Sequence, residues 1–225
     1  MPPNTLINAD FSQRAVLHRE QQQWVASPQQ GVRRIFLDRV GAEKARATSI
    51  VSYAPGSMFP LHGHPGGEEI LVLDGLFSDA SGDFSGGWYL RNPPGSHHAP
   101  SSAPGATLFV KLRQMPDQER QAVRIDSGAA AWQPRGAGRS CLPLYHGAAE
   151  HVELLRLQPD AVAEAELFDG GAEYLVLNGQ MTDDDGTYGA GAWLRLPPGA
   201  RQQVRSGAEG VLFYRKTGHL AVAIG

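Results

Sequence analysis

An internal repeat is the feature that most constrains the fold of this chain. When the 225-residue sequence is shifted by 104 positions, Gly66–Gly75 (GGEEILVLDG) falls on Gly170–Gly179 (GGAEYLVLNG), with seven of ten residues identical. The same shift places Gly87–Gly95 on Gly191–Gly199, with six of nine identical and no gap between the two blocks. Self-similarity at a fixed period means that one structural unit occurs twice.

The repeat extends beyond these two blocks. The same shift carries Leu108–Phe109 onto Leu212–Phe213, and Trp24 corresponds to Trp132 once a small length difference is allowed. The two copies therefore account for most of the chain.

The join between the copies falls near residues 114–130, which are polar and show no clear strand pattern. We therefore predict an N-terminal repeat over residues 1–116 and a C-terminal repeat over residues 117–225.

Each copy is predicted to be rich in β-strands. The chain contains 27 glycines and 16 prolines, and its apolar runs are short and bounded by turn residues, as in Glu69–Leu73 and Trp88–Leu90. This pattern is typical of many short strands joined by tight turns. Residues 12–25 are ambiguous, since their apolar spacing fits a helix or a leading strand.

Charge and composition exclude several classes of protein. The net charge of −3 lacks the basic footprint that nucleic-acid binding requires. No apolar stretch is long enough to span a bilayer, and no secretory signal is visible, so we expect no membrane partner and a cytoplasmic location. The single cysteine, Cys141, excludes an internal disulfide and a cysteine-rich zinc site.

A cluster of candidate metal ligands begins at His62. His62 and His64 are two residues apart, so an extended strand would point both imidazoles to the same face. The turn Pro65–Gly67 then reverses the chain and returns Glu68 toward them. Glu69 is the alternative carboxylate, but strand alternation favours Glu68.

A second cluster follows the turn Pro93–Gly95, which could aim one further histidine, His97 or His98, into the same site. Three imidazoles and one carboxylate form a mixed nitrogen and oxygen site that suits zinc, iron, manganese, nickel or copper. The donor set alone does not choose among these metals.

Both clusters resemble the paired signature motifs of the cupin superfamily. The first reads Gly, five residues, His-x-His, three residues, Glu, six residues, Gly, and the second reads Gly, five residues, Pro-x-Gly, two residues, His. The resemblance implies an all-β fold of two tandem cupin barrels, which are jelly-roll-like double-stranded β-helices. It also implies one divalent transition metal, with zinc preferred over iron, manganese or nickel. The implied ligands are His62, His64, Glu68 and His98, and His97 is expected at the rim.

The amino-acid sequence around these motifs is most similar to that of the cupin domain of ChrR-type anti-sigma regulators. The similarity is clear over residues 14–116 and weak in the second copy. In that family a zinc-binding anti-sigma domain with a His-x3-Cys-x2-Cys motif precedes the cupin. Barely twenty residues precede the cupin pattern in this sequence, and its only cysteine is Cys141. The resemblance therefore does not carry sigma-factor binding onto this chain.

The second repeat is expected to lack the metal. Adding 104 to the four ligand positions gives Glu166, Phe168, Ala172 and Gln202, of which only Glu166 could still coordinate. An apolar ring at Phe168 stands where an imidazole is needed.

Two classes of function remain open. The first is a metal-dependent module that binds or senses a small molecule or oxidative stress and relays the change to a partner. The second is an Fe(II)-dependent dioxygenase for a diketone or hydroxyketone-like substrate, with a pocket lined by groups such as Phe59, Trp88 or Phe109. Both take a small molecule as partner, and a homodimer is open in either case.

Overall fold

The computed structural model describes residues 6–42, 44–136, 138–148 and 150–221, and their regular structure is almost entirely β. One short 3-10 turn, Arg19–Gln21, interrupts the strands near the N-terminus. These strands confirm the predicted all-β class. Many of the glycines and prolines lie in the turns between them. Within the described ranges, no helix has the length and apolar character to cross a membrane.

The strands are short, apart from three that exceed ten residues. The first half of the chain forms β1 (Ala15–Leu17), β2 (Val25–Ala26), β3 (Val32–Val40), β4 (Arg46–Tyr53), β5 (Ser57–Met58), β6 (His62–His64), β7 (Glu68–Asp79), β8 (Gly82–Ser85), β9 (Trp88–Asn92), β10 (Ser96–His98), β11 (Ser101–Ser102) and β12 (Ala106–Leu112). The second half forms β13 (Val123–Asp126), β14 (Gln133–Pro134), β15 (Arg139–His146), β16 (His151–Leu157), β17 (Glu166–Phe168), β18 (Ala172–Asp183), β19 (Gly186–Gly189), β20 (Trp193–Leu196), β21 (Ala200–Gln202) and β22 (Arg205–Thr217).

These strands form two compact units with the same plan. Unit 1 contains Gln23–Ala129 and the described residues before Asp10, and unit 2 contains Asp10–Gln22 and the described residues from Ala130 to Ala221. In unit 1 the main sheet runs β13-β9-β7-β12-β4-β3-β2, and β6 pairs with β10. In unit 2 the main sheet runs β1-β20-β18-β22-β16-β15-β14, and β17 pairs with β21. The repeat in the sequence is therefore a repeat of sheet topology.

The leading strand of each repeat pairs within the unit built from the other repeat. Ala15 of β1 lies opposite Arg195 of β20, and Val123 of β13 lies opposite Arg91 of β9. The ambiguous segment 12–25 thus contains a leading strand rather than an α-helix. Strand β13 lies within residues 114–130, where the sequence shows no clear strand pattern.

The strands β12 and β22 are equivalent in the two repeats, but their residues correspond at a shift of 105 positions instead of 104. Leu108 lies opposite Val72, and Phe213 lies opposite Val176, which is 104 residues after Val72. Leu108 therefore corresponds to Phe213, and the predicted match of Leu108 to Leu212 was wrong by one position. The second repeat therefore has one extra residue before Gly210. The sequence comparison did not show it, because the pair Leu-Phe happens to match at a shift of 104 as well.

Each unit has its own apolar core. In unit 1, the side chains buried between its strands include Ile70, Phe77, Leu90 and Leu108. In unit 2, the corresponding cluster includes Tyr174, Leu194 and Phe213. Burying this apolar surface stabilises both barrels and fixes the strands that carry the histidines of unit 1.

Candidate metal centre

Two paired strands bring three histidines of unit 1 together. β6 and β10 are antiparallel, with His62 opposite His98 and His64 opposite Ser96. Because residues two apart on a strand share a face, both imidazoles of β6 point the same way. One ring nitrogen from each of His62, His64 and His98 lies within 4.8 Å of the others. His64 and His98 are buried, and His62 is exposed at the mouth.

Glu68 faces these imidazoles from the start of β7. The turn after His64 reverses the chain through Gly67, whose φ of +75° suits glycine. Glu68 Oε2 then lies 3.4 Å from His64 Nε2 and 3.5 Å from His98 Nε2. The next residue, Glu69, points to the other face and accepts a hydrogen bond from Arg91 Nη1 at 3.3 Å.

The distances among three of these donor atoms, on His64, His98 and Glu68, fit a single ion. His64 Nε2 and His98 Nε2 are 2.9 Å apart. Two ligands that each lie about 2.1 Å from one metal are about 3.0 Å apart at a right angle and about 3.4 Å apart at a tetrahedral angle. The nitrogen–nitrogen and nitrogen–oxygen separations span this range, and imidazole nitrogen with carboxylate oxygen suits a divalent transition metal.

Hydrogen bonds on the far side of two rings set their tautomers. His98 Nδ1 donates to Asp79 Oδ2 at 3.2 Å, and His62 Nδ1 donates to the carbonyl of Pro60 at 3.0 Å. With Nδ1 protonated, each ring presents the Nε2 lone pair to the site. Burial raises the pKa of Asp79, but hydrogen bonds from His98 and Ser81 outweigh it and bring that pKa to about 2. Asp79 is therefore an ionised acceptor at neutral pH.

A second chain of hydrogen bonds orients Glu68. Asn92 Nδ2 donates to Glu68 Oε2 at 3.0 Å, and Arg124 Nη2 donates to Asn92 Oδ1 at 2.7 Å. Arg124 is on β13, so the leading strand of the second repeat helps to position the carboxylate of the first. Such outer contacts fix the direction in which a ligand presents its lone pairs.

The surroundings of His64 favour its neutral form. Burial lowers the pKa of His64, and the neighbouring imidazoles of His98 and His62 lower it further, while Glu68 opposes them. A neutral imidazole is the form that ligates a metal. His97 is exposed, as expected, and its ring lies beside Gly63.

An open cavity of about 270 Å³ adjoins the histidines in unit 1. Apolar side chains, Tyr53 and two arginines line it together; the lining residues used below are Arg34, Val51, Tyr53, Leu108, Val110, Leu112 and Arg113. Burial raises the pKa of Tyr53, and nearby Glu68 raises it further, so its phenol remains a neutral donor. The residues that line this cavity do not include Phe59, Trp88 and Phe109, which the sequence analysis names as candidate pocket-lining groups.

Unit 2 fills the equivalent space with side chains. Glu166 lies opposite Gln202, as His62 lies opposite His98, but Glu166 bonds Arg215 at 2.9 Å and Arg139 at 3.0 Å. Burial lowers the pKa of Arg215, but nearby Tyr174 and acidic side chains raise it well above its usual range. The remaining cavity measures about 10 Å³, room for one water at most.

Sequence reasoning missed Asp79 and Asn92, and comparison of the two copies gives a signal for Asn92 alone. Asp79 recurs as Asp183, which accepts a hydrogen bond from Gln202 at 2.6 Å. Asn92 instead becomes Leu196 in the copy that has lost the ligands. A polar residue present only beside the intact ligand set is the pattern expected of a supporting contact.

Two barrels built from one repeat, with a His-x-His, Glu and His cluster on the first, define this protein as a bicupin. The sequence profile of the ChrR cupin-like domain matches residues 12–116 and again residues 120–221. The chain therefore belongs to the ChrR cupin-like family. No curated protein sequence matches it.

Solved structures with the same fold are distant in sequence. A dioxygenase candidate from Nostoc punctiforme is 16% identical with a TM-score of 0.74, covering 95% of this chain and 86% of its own. The protein Ylba from E. coli is 16% identical with a TM-score of 0.72, covering 93% of each chain. Bacillus subtilis oxalate decarboxylase, described with Mn(II) centres, is 14% identical with a TM-score of 0.58, covering 91% of this chain and 77% of its own. These similarities show the cupin fold.

Proposed function

We propose that this protein is a metal-dependent module that binds a small molecule, with a sensing role, at a single site in unit 1. The metal ligands are His62, His64, Glu68 and His98. One observation carries the proposal: two buried imidazole nitrogens face each other at 2.9 Å with a carboxylate oxygen beside both. That cluster opens onto a cavity large enough for a small molecule.

Unlike a structural zinc site closed on all sides, this site has room for a further ligand. When bound, the metal supplies a Lewis-acidic position for an oxygen donor of the small molecule. Zinc is the first metal to test, and iron, nickel and manganese follow, the last because a fold relative is described with Mn(II) centres. The cytoplasmic location and a homodimer stay predictions, and sigma-factor binding is not proposed.

The protein's own side chains prepare the site. Asp79 holds His98 in the ligating tautomer, and Asn92 holds the carboxylate of Glu68. Tyr53 keeps its proton and can donate a hydrogen bond to a molecule in the cavity.

The test is an equilibrium titration of metal-free protein with zinc, using His98→Ala and the matched variant Gln202→Ala. His98→Ala should lose high-affinity binding, because it removes one buried ligand together with the hydrogen bond that this ligand donates to Asp79. Gln202→Ala should bind zinc as the wild type does. Undiminished binding by His98→Ala would overturn the ligand assignment.

A second candidate is an Fe(II)-dependent dioxygenase acting on a diketone or hydroxyketone-like substrate. The open cavity beside the ligands supports it, as does the fold shared with the Nostoc dioxygenase candidate. The iron-loaded protein should then consume oxygen with acetylacetone, and His98→Ala should not. Iron-loaded protein that takes up no oxygen with a panel of diketones would remove this candidate.

A further inference from the structure

Two arginines line the cavity of unit 1 without an acidic partner. Arg34 and Arg113 both border the space that His62, His64 and Glu68 adjoin. Within the part of the chain that the structure describes, neither guanidinium forms an ion pair or a side-chain hydrogen bond. Two unpaired cations beside a candidate cation site repel one another and the metal, unless an anion joins them.

The strand pairing fixes where Arg34 lies. It sits on β3 directly opposite Val51 of β4, another residue of the cavity wall. The positive charge of Arg34 also lowers the pKa of Tyr53 against the effect of burial, which places the guanidinium within electrostatic reach of the phenol. Arg34 and Tyr53 therefore present donors to the same part of the cavity.

Arg113 is held by the turn that separates two of the proposed metal ligands. Its backbone N–H donates to the carbonyl of Gly67 at 3.1 Å, and its side-chain stem packs against Gly66. A Cβ atom at Gly66 would lie 2.9 Å from the Cα and Cγ of Arg113. The absence of a side chain at position 66 thus lets Arg113 lie against the turn between His64 and Glu68.

The second unit serves as an internal comparison. Strand register aligns Arg34 with Cys141, since Arg34 lies opposite Val51 and Cys141 lies opposite Leu155. Arg113 aligns with Gly218, whose N–H donates to Gly171 as that of Arg113 donates to Gly67. Both arginines are therefore present in the unit that has the histidines and absent at the same positions in the unit that lacks them.

Charge and shape together indicate which kind of small molecule the cavity would bind. The cavity offers two guanidinium groups and one carboxylate. That carboxylate, Glu68, is also a proposed ligand of the metal. Guanidinium groups bind carboxylates through paired, charge-assisted hydrogen bonds. The apolar lining residues Val51, Leu108 and Val110 suit a short carbon chain, and a volume of about 270 Å³ is below the range of cavities that take drug-sized ligands.

We propose that the cavity of unit 1 selects a small organic carboxylate that carries a second oxygen donor. Arg34 and Arg113 bind the carboxylate, and the second oxygen faces the metal site. The inference rests on the proposed function and adds the chemical class of its small molecule.

The test compares two probes of the same size, acetoacetate and acetylacetone, which differ by a carboxylate in place of an acetyl group. Binding is measured by calorimetry with zinc-loaded protein and with protein treated with EDTA. Wild-type protein should bind acetoacetate about 10-fold or more tightly than acetylacetone, because only the anion makes charge-assisted hydrogen bonds. Arg34→Gln and Arg113→Gln should each reduce this preference, and the double variant should abolish it.

Arg33→Gln is the matched control, because Arg33 lies on the same strand as Arg34 but stacks over the Trp24 ring at 5.2 Å. It should retain the full preference. Equal affinity for both probes, or a preference that survives in the double variant, would overturn the anion assignment. Zinc content is measured on the same samples, and failure to take up zinc would overturn the metal site. In that case the preference of EDTA-treated protein for acetoacetate over acetylacetone would still decide the role of the arginines.

Discussion

At the scale of single residues, the two units differ in what stands opposite a repeated aspartate. Asp79 accepts a hydrogen bond from His98 at 3.2 Å, and Asp183 accepts one from Gln202 at 2.6 Å. The carboxylate thus orients an imidazole in unit 1 and an amide in unit 2. Only the imidazole has a second nitrogen that can ligate a metal.

Asp79→Asn is expected to weaken metal binding 10- to 100-fold, roughly the range measured for outer-shell partners of metal-bound histidine. The amide cannot match the charged acceptor that fixes the tautomer of His98. Metal affinity would be measured by competition with a chromophoric chelator. Asp183→Asn is the matched control and should leave the affinity unchanged; equal effects of the two variants would contradict this role for Asp79.

Asp183 should also make folding stability depend on pH. Burial raises its pKa, but hydrogen bonds from Arg14 and Gln202 outweigh this, so its folded pKa lies below the unfolded value of 3.8. A depressed pKa contributes stability above about pH 4 that is lost as the pH falls through the folded pKa. Asp183→Asn should therefore cost about 2 kcal/mol at pH 7 and progressively less in acid, as measured by urea unfolding. A cost that grows below pH 4 would contradict this account.

Three of the proposed ligands could be predicted from the sequence because their spacing is local, whereas His98 was chosen over His97 only by the resemblance to the cupin motifs. His62 and His64 lie on one strand, Glu68 follows a short turn, and strand alternation chose Glu68 over Glu69 for the face toward the histidines. Arg124 could not be found in this way. It reaches Asn92 from β13, through a strand pairing that no local pattern records.

At the scale of elements, the long strands β7 and β18 bend at an equivalent glycine. Gly75 has a φ of +79° and Gly179 a φ of +74°. A Cβ atom would lie 2.1 Å from the carbonyl oxygen of Gly105 at the first position and 2.2 Å from that of Gly210 at the second. Both the backbone conformation and the close approach of the neighbouring strand therefore require glycine.

Gly75→Ala should destabilise unit 1 far more than Gly95→Ala. Gly95 also has a positive φ, +85°, but a Cβ there would meet open space. Gly95→Ala should cost about 1 kcal/mol for the left-handed backbone alone. Gly75→Ala adds a backbone clash and should lower the thermal midpoint by several degrees more. Similar midpoints for the two variants would show that the close contact at Gly75 is relieved cheaply.

The order of the strands was harder to predict than their presence. The sequence shift predicted equivalent strands at Gly66–Gly75 and Gly170–Gly179, and these are the central strands β7 and β18. The leading strands β1 and β13 are only three and four residues long, and each pairs in the unit formed by the other repeat. Pairing over such distances depends on the tertiary structure and leaves no periodicity in the segment itself.

At the scale of the whole molecule, one repeat has taken two forms. Unit 1 has a cavity of about 270 Å³ beside the histidine cluster, and unit 2 has about 10 Å³. In unit 2 the guanidinium of Arg215 bonds Glu153 at 2.6 Å and Glu166 at 2.9 Å. An internal cation thus balances the carboxylates where unit 1 has a candidate site for a metal cation.

The number of metal ions bound per chain tests the central claim most directly. Native mass spectrometry of zinc-loaded wild-type protein should show one ion per chain. His62→Ala and His98→Ala should reduce this number toward zero, while Gln202→Ala should leave it at one. Two ions per chain, or one ion retained in full by both histidine variants, would contradict a single site in unit 1.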